Sequence, residues 1–590
     1  MNAFAEIAAR RAWAWPVARL GLFALCTVLL TFRHLERIGT TIPGNPGDAY
    51  IVLAFLEWGG DHSVRLFQDF WAGPIFSTSD RAMAYSEAML PLAFPFWLLE
   101  RTTGSRVVAF NTLFLVSWVI AAESTYHLAL RFVRSRPVAV TAALAFTFST
   151  IRLAQTGHFQ LAWTCFLPLA VLQLLRLRER PSVGRGGLAA LAVLAQMLTS
   201  AYHGVILIVF AGVFAVGEVV RAAARRRDWR PVLGGWATML ALIGVVMLPF
   251  QRIYAAAHDE VLPRSVYPEW AELRLGDWRM PTADAWFPRL LPFFDHSTEG
   301  RFGENYAYLG IFVLALLPVL AVLALAPGWR HRLPKVSVEW VAVIALGAFA
   351  MLLAFGRGPL LGVPLPFYDI ATAIIPGFES IVALVRLFVF AQLALVLLAA
   401  AALEGLVRDR PRALRIGAVA AVGLLVVVDS WQRGEFIEVV EPEQGSVYAA
   451  MQELPAGNVV ELPMVPTSAG ILYAFAEATR MVLGTDDALR SFNGYSGYTP
   501  IGYDASIALL NDFPSAASID ELDRLGIDYV TIHTAPIDTG HDGVSAAING
   551  AGIAFWPADE VQRRLSSAPE GRVDRRIDAT DGVVVVLRGD

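Results

Sequence analysis

Long apolar runs separated by short polar connectors dominate the first 431 residues. The runs fall near 12–32, 107–131, 138–150, 161–176, 187–203, 204–221, 232–250, 305–326, 338–355, 381–406 and 413–431. Stretches of about 17 to 25 apolar residues can cross a bilayer as helices. The pattern therefore predicts a polytopic α-helical membrane protein of about eleven spans. From "GNVVELPM" (457–464) onward the periodicity changes. Short β-branched runs alternate with polar helical stretches, as in "SIDELDRLGIDYVTIHT" (518–534) and the closing "DGVVVVLRGD", which predicts a soluble α/β domain. The expected division is a transmembrane module over 1–432 and an α/β domain over 433–590.

Charge orders these spans. The connectors "RFVRSRP" (131–137), "RLRERPSVGR" (176–185), "RAAARRRDWR" (221–230), "WRHRLPK" (329–335) and "RDRPRALR" (408–415) are strongly basic, so each is expected in the cytoplasm. Keeping all five inside fixes a parity. Under it "AMLPLAFPFWLLE" (88–100), short and carrying Pro91 and Pro95, is a surface or re-entrant helix within one large outer loop, 33–106. Further outward segments are 151–160, a turn around His203, 251–304 and 356–380, with 433–590 also outside. The N-terminus is read as a retained, cytoplasm-starting first span of a bacterial inner-membrane protein.

Composition supports this class. Of 590 residues, 56% are hydrophobic and 17% charged, where a soluble protein carries roughly a quarter charged. The net charge of −5 and the clustering of arginines in short loops between apolar runs are a topology signal and give no nucleic-acid signal. Cys26 and Cys165 both lie in apolar runs, which excludes a disulfide framework or a metal-type cysteine spacing. No P-loop and no HExxH occurs, so neither nucleotide-driven chemistry nor a bound metal has a supporting pattern. No cofactor is expected.

Polar groups at the outer membrane face are where chemistry is expected. The first loop holds Asp48 in "NPGDAY", Asp61, His62, Asp69 and Glu87. "STIRLAQTGHFQLAW" offers Arg152, His158 and Gln160; "AFGRGPLLGVPLPFYD" supplies Arg357, and Arg386 opens the next helix. Acids, a histidine and arginines suit sugar transfer from a lipid-linked phosphate: a carboxylate takes the acceptor's proton, and guanidinium groups hold the departing phosphate. Asp48 and Glu87 are the candidate catalytic acids; His158, Gln160, Arg152, Arg357 and Arg386 are the candidate substrate contacts. Against this, Asp48 after Pro46 and Gly47 also fits an Asx-type turn, His158 a helix cap, Arg386 a snorkelling cation, and "FNGYSGY" (492–498) a glycine-permitted turn. Two acids lie within apolar runs: Glu218 near a basic end, and Glu123, which has no evident partner.

The order of one span, a large outer loop with a surface helix and an acid, many spans and an outer domain resembles the GT-C superfamily of membrane glycosyltransferases. "RLAQTGHFQLAWTCFLPLAVL", "ENYAYLGIFVLALLPVL", "LAFGRGPLLGVPLPFYDIATAIIPGF", "FNGYSGYTP" and "LGIDYVTIH" are similar to a bacterial branch of GT-C-like membrane proteins. The resemblance implies Asp48 as catalytic acid, a polyprenyl-phosphate-linked sugar as donor, and a lipid, glycan or protein acceptor outside the cytoplasm. The DxD of oligosaccharyltransferase members is absent, so their metal dependence is not implied here. The alternative is a non-catalytic glycolipid carrier or envelope-polysaccharide assembly factor, which would place charges within helices and show two related halves.

Overall fold

The computed structural model describes residues 2–225, 228–263, 271–282, 285–294, 306–360, 363–432, 434–484, 488–569 and 571–587. Parts of the expected 251–304 loop, two arginines of the 221–230 connector and the first two residues of "ENYAYLG" lie outside these. The chain begins with α1 (Asn2–Leu35), β1 (Thr41–Pro43), α2 (Asp48–Ser63), α3 (Leu90–Thr103) and α4 (Arg106–Ala129). There follow α5 (Arg136–Thr147), α6 (Thr150–Leu153), α7 (Phe159–Ala162), α8 (Phe166–Glu179) and α9 (Val183–Thr199). Next come α10 (Ala201–Ala224), α11 (Arg230–His258), α12 (Ile311–Leu325) and α13 (Val338–Ala354). A small hairpin of β2 (Pro359–Leu360) and β3 (Val363–Pro364) leads to α14 (Phe367–Ile374), α15 (Phe388–Val407) and α16 (Arg412–Asp429).

After β4 (Phe436–Glu438) the remaining elements are α17 (Val447–Met451), β5 (Gly457–Leu462), α18 (Ile471–Gly484), β6 (Leu489–Ser491), α19 (Tyr503–Leu510) and α20 (Ala516–Leu525). β7 (Tyr529–His533), α21 (Asp542–Ala551), α22 (Ala558–Ser566), β8 (Val573–Asp578) and β9 (Gly582–Leu587) complete the chain. β6, β5 and β7 are parallel; β9 pairs antiparallel with β7 and with β8, giving the order β6-β5-β7-β9-β8. β7 is buried at every position, as a central strand covered on both faces must be.

Five described helices are long and apolar enough to cross a membrane: Ala14–Thr31 within α1, α4, α10, α11, and Leu384–Val407, which contains α15. α9, α12 and α13 are shorter apolar helices. The protein is thus mostly helical, with several candidate spans.

The chain divides into two compact units. One comprises Met1–Glu36, Phe114–Val246 and Ser265–Gly434; the other comprises Arg37–Leu113, Met247–Arg264 and Glu435–Asp590. In the first, α15 is central, packed by α12, α13 and α5 and buried along almost its whole length. α13 approaches it through Gly347, where a Cβ would stand 2.8 Å from the Ala394 methyl. Such close approach is how helices associate where lipid removes the hydrophobic driving force. In "GRGGLAALAVL" the same device operates: a Cβ on Gly186 would lie 2.2 Å from the Gly235 carbonyl oxygen of α11.

The second unit joins the first-loop residues to the C-terminal sheet by backbone pairing. β1 is antiparallel to β4. Ser77 N–H donates to the Ser491 carbonyl (3.0 Å), and Ser491 N–H to the Pro74 carbonyl (2.9 Å). "FNGYSGY" thereby acquires a structural role: Asn493 pairs with both the N–H and the carbonyl of Glu461 on β5 (2.7 and 3.0 Å), extending the sheet like another residue of strand.

Candidate functional site

In the second unit, "NPGDAY" is a rigid joint. The Asn45 carboxamide oxygen accepts the N–H groups of Gly47 (3.0 Å) and Asp48 (3.3 Å), an Asx cap that satisfies orphan donors at the start of α2. Asp48 is the first residue of that helix and half-buried, at the end where the backbone dipole favours a carboxylate. Two residues on, the fully buried Tyr50 hydroxyl lies 2.6 and 3.0 Å from the carbonyls of Glu438 and Thr539. At Gly47 a Cβ would be 3.2 Å from the Phe475 ring of α18, so the helix start is pressed against the C-terminal segment. Asn45, not Asp48, makes the turn. Glu87 is half-buried just before α3, in a stretch held where the Tyr254 hydroxyl donates to the Ser86 carbonyl at 3.2 Å.

In the first unit, His158 and Arg386 come together. Arg386, 9% exposed, sits in the turn before α15 and donates to His158 Nε2 at 2.8 Å. A guanidinium is donor-only, so this imidazole is neutral at Nε2. The same guanidinium lies 4.8 Å from the centre of the Tyr202 ring, a cation–π contact. Tyr202 went unrecognised in the sequence; an aromatic at the first turn of a span in "TSAYHG" was its only signal. Gln160 is buried, and its carboxamide oxygen has no hydrogen-bond partner among the described residues.

Arg152 departs from expectation. It is 1% exposed, donates to the carbonyls of Thr147 (2.5 Å) and Ala162 (2.6 Å), and stacks 4.4 Å from the Trp118 ring. Its donors clip the end of α5 to that of α7. Arg357 is held differently. Its backbone N–H donates to Glu272 (2.6 Å), and its side chain pairs with Asp369 at 2.7 Å. Asp369 stands twelve residues on, in the first turn of α14 and within the same quoted stretch, whereas Glu272 lies in a distant loop; neither was recognised as a partner. The pair is half-exposed at the surface.

Glu123 is corrected too: it is paired with Arg19 of α1, through Nε at 2.8 Å and through Nη2, and with His127 at 2.9 Å. Glu218 pairs with Arg178 (3.1 Å) and Arg221. Among the described residues no group of three or more His, Cys, Asp or Glu is placed to hold a metal ion.

The first unit also contains a cavity of about 580 Å³, bounded by α12, α13, α15 and the 273–278 segment. Leu273, Trp278, Phe293, Leu317, Met351 and Phe388 line it, and exposed Arg274 is the one charged residue in its described lining.

A helical array with several candidate spans, followed by an α/β segment, defines the fold that was compared with solved structures. Its fold is similar to arabinofuranosyltransferase AftD from mycobacteria, with a TM-score of 0.56 at 14% identity, over 98% of this chain and 40% of that one. A variant of the same enzyme gives 0.51 at 15% identity, over 97% and 41%. The apo oligosaccharyltransferase of Archaeoglobus fulgidus gives 0.45 at 12%, over 88% and 70%. The two arabinofuranosyltransferase matches show the GT-C fold expected from the sequence, and the fold alone. The chain spans about 40% of the length of the arabinofuranosyltransferase. It belongs to the family described as Domain of unknown function (DUF6311), whose model matches residues 79–431. That match takes in Glu87, His158 and Arg386 and leaves out Asp48. No curated protein matches the chain.

Proposed function

We propose that the protein is a membrane glycosyltransferase of the bacterial inner membrane. It moves a sugar from a polyprenyl-phosphate donor to a lipid, glycan or protein acceptor on the extracytoplasmic side. The observation that carries this reading is a GT-C fold over 98% of the chain. The apolar cavity with Arg274 in its lining supports a lipid-borne donor. In this reading the N-terminus is cytoplasmic, residues 1–432 form the catalytic module, and 433–590 are periplasmic.

Asp48 accepts the proton of the acceptor hydroxyl while that oxygen bonds to the anomeric carbon. The carbon–oxygen bond to the lipid phosphate breaks, and the phosphate leaves with the electron pair. Glu87 is the second acid. Arg386 holds the departing phosphate, its guanidinium positioned by His158. Gln160 offers its unpartnered carboxamide oxygen to a sugar hydroxyl. Arg357 offers a guanidinium whose exposed pairing with Asp369 a phosphate can replace. The carrier alternative loses its main support, because Glu123 is neutralised by Arg19.

The test is sugar transfer by purified protein supplied with short-chain polyprenyl-phosphate sugars and a membrane glycolipid extract. Asp48→Asn keeps the size and removes the base, so a folded variant should lose roughly 10²-fold or more of the rate. Arg386→Gln should lose comparable activity. Parental rates in folded Asp48→Asn would overturn the assignment of the base, and no transfer by the parent with any donor would overturn the reading.

A further inference from the structure

One short stretch of the first unit, 155–164, carries more buried hydrogen-bonding capacity than the fold uses. Gln155, 4% exposed, has a partner among the described residues at neither Oε1 nor Nε2 of its carboxamide. Gln160 Oε1, the Trp163 indole N–H and the Thr164 hydroxyl are likewise buried and unpartnered among the described residues. Buried amides and hydroxyls are costly to leave unbonded, and folded proteins satisfy nearly all of them. Four such side chains in so short a stretch mark a place where something other than the chain completes the bonds.

The same turn holds His158. The His158 N–H donates to the Gln155 carbonyl at 3.0 Å, and the Leu161 N–H to the His158 carbonyl at 2.8 Å. The first bond closes a four-residue turn, which keeps the Cα atoms of 155 and 158 within about 7 Å. Gln160 follows two residues on, in α7, and His158 itself meets Arg386 at 2.8 Å. The unpartnered groups are all neutral, and they include donors and acceptors together. A metal ion would leave the Gln155 amide and the indole N–H unbonded, and a phosphate, which only accepts, would leave both carboxamide oxygens unbonded. A hydroxyl donates and accepts at once, so neighbouring hydroxyls match the set.

We infer that Gln155, with Gln160 beside it, recognises the sugar of the lipid-phosphate donor through neighbouring uncharged hydroxyl groups. The inference rests on the proposed transfer reading, in which Arg386 holds the phosphate. A sugar bonded directly to that phosphate carries its hydroxyls into the adjoining turn, where the Gln155 carboxamide can donate to one and accept from the next. Gln155 is then a specificity-determining residue, its bonds left open by the fold and completed by the sugar.

Affinity is measured by thermal shift on the full-length protein in detergent, with a short-chain polyprenyl phosphate either bare or carrying glucose, mannose or arabinose. The parent is expected to bind at least one sugar-bearing lipid about tenfold or more tighter than the bare lipid. Gln155→Met keeps the length of the side chain and removes both polar atoms. It should lose that margin while binding the bare lipid as the parent does, and its ligand-free melting temperature should equal or exceed the parent's, because no bond of the fold is lost. Gln155→Leu repeats the test with a different apolar shape. If no lipid shifts the parent, the reading of a lipid-phosphate donor fails and the inference with it. Three other results overturn the inference and leave that reading standing: a bare lipid that binds the parent as tightly as every sugar-bearing one, which would assign the open bonds to water; a margin that survives in the folded variants; and variants that melt well below the parent, which would make Gln155 a support of the fold.

Discussion

Glu57 on α2, its side chain 13% exposed, lies beside the Arg106 guanidinium at 3.2 Å, which also bonds Glu441 (2.7 Å) and the Val482 carbonyl (2.9 Å). Burial nevertheless pushes the Glu57 carboxyl up to about 7, and burial raises Glu477 to about 7 even beside Arg480. In the unfolded chain both ionise near 4.5. Between pH 4.5 and 7 the folded protein keeps protons that the unfolded chain has released. Stability therefore falls as pH rises through that window, and the cost is complete above it. Glu57→Gln removes one of the two titrations. Its melting temperature in detergent should gain on the parent as pH rises from 4.5 to 7.5, and a constant offset across that range would show that Glu57 does not carry the dependence. Such positions escape a sequence reading, because an acid in a polar loop looks the same whether solvated or enclosed. Arg152 misled for the same reason: nothing in "STIRLAQTGHFQ" tells that the carbonyls of Thr147 and Ala162 turn toward one guanidinium.

Elements were more legible than their pairings. α4, α10, α11 and α15 follow from apolar runs too long for anything but helix, and α3 from a short apolar stretch with a proline in its first turn. Glu218 has Arg221 less than one turn away, so its pairing could be read along the helix. The Arg19–Glu123 pair joins α1 to α4 across 104 residues, and only the packed bundle reveals it. Arg19 is almost wholly buried, so removing one partner strands a charge. Arg19→Met and Glu123→Leu are each expected to cost about 3 kcal/mol, and the double variant far less than their sum. Thermal unfolding of the four proteins in one detergent measures the cycle. Additive losses would mean the two charges do not act as a pair.

At the scale of the whole molecule, the sequence divides after residue 432, where the last apolar run has ended, whereas the compact units follow three-dimensional partners. Residues 37–113 and 247–264 group with 435–590. The reason is that the first loop cannot satisfy its own backbone. Among the described residues β1 pairs with β4 alone. The Tyr50 hydroxyl needs the carbonyls of Glu438 or Thr539. The Ala72 and Gly73 carbonyls receive Arg490 at 3.1 and 3.2 Å, and residues 74–77 pair with Ser491 and Asn493. Three-residue strands and single side-chain bridges leave no periodic trace, so none of this was readable along the chain. A protein ending at Gly434 keeps every apolar span but loses all of these partners, each stranded buried group costing about 1–3 kcal/mol. Its residues 37–106 should then be cut by protease under conditions where the full-length chain is resistant there, and Asp48, whose helix start rests on Phe475, should lose its fixed place. Equal protection of 37–106 in the two proteins would show that the first loop folds by itself, and the boundary would then lie where the hydrophobic pattern changes.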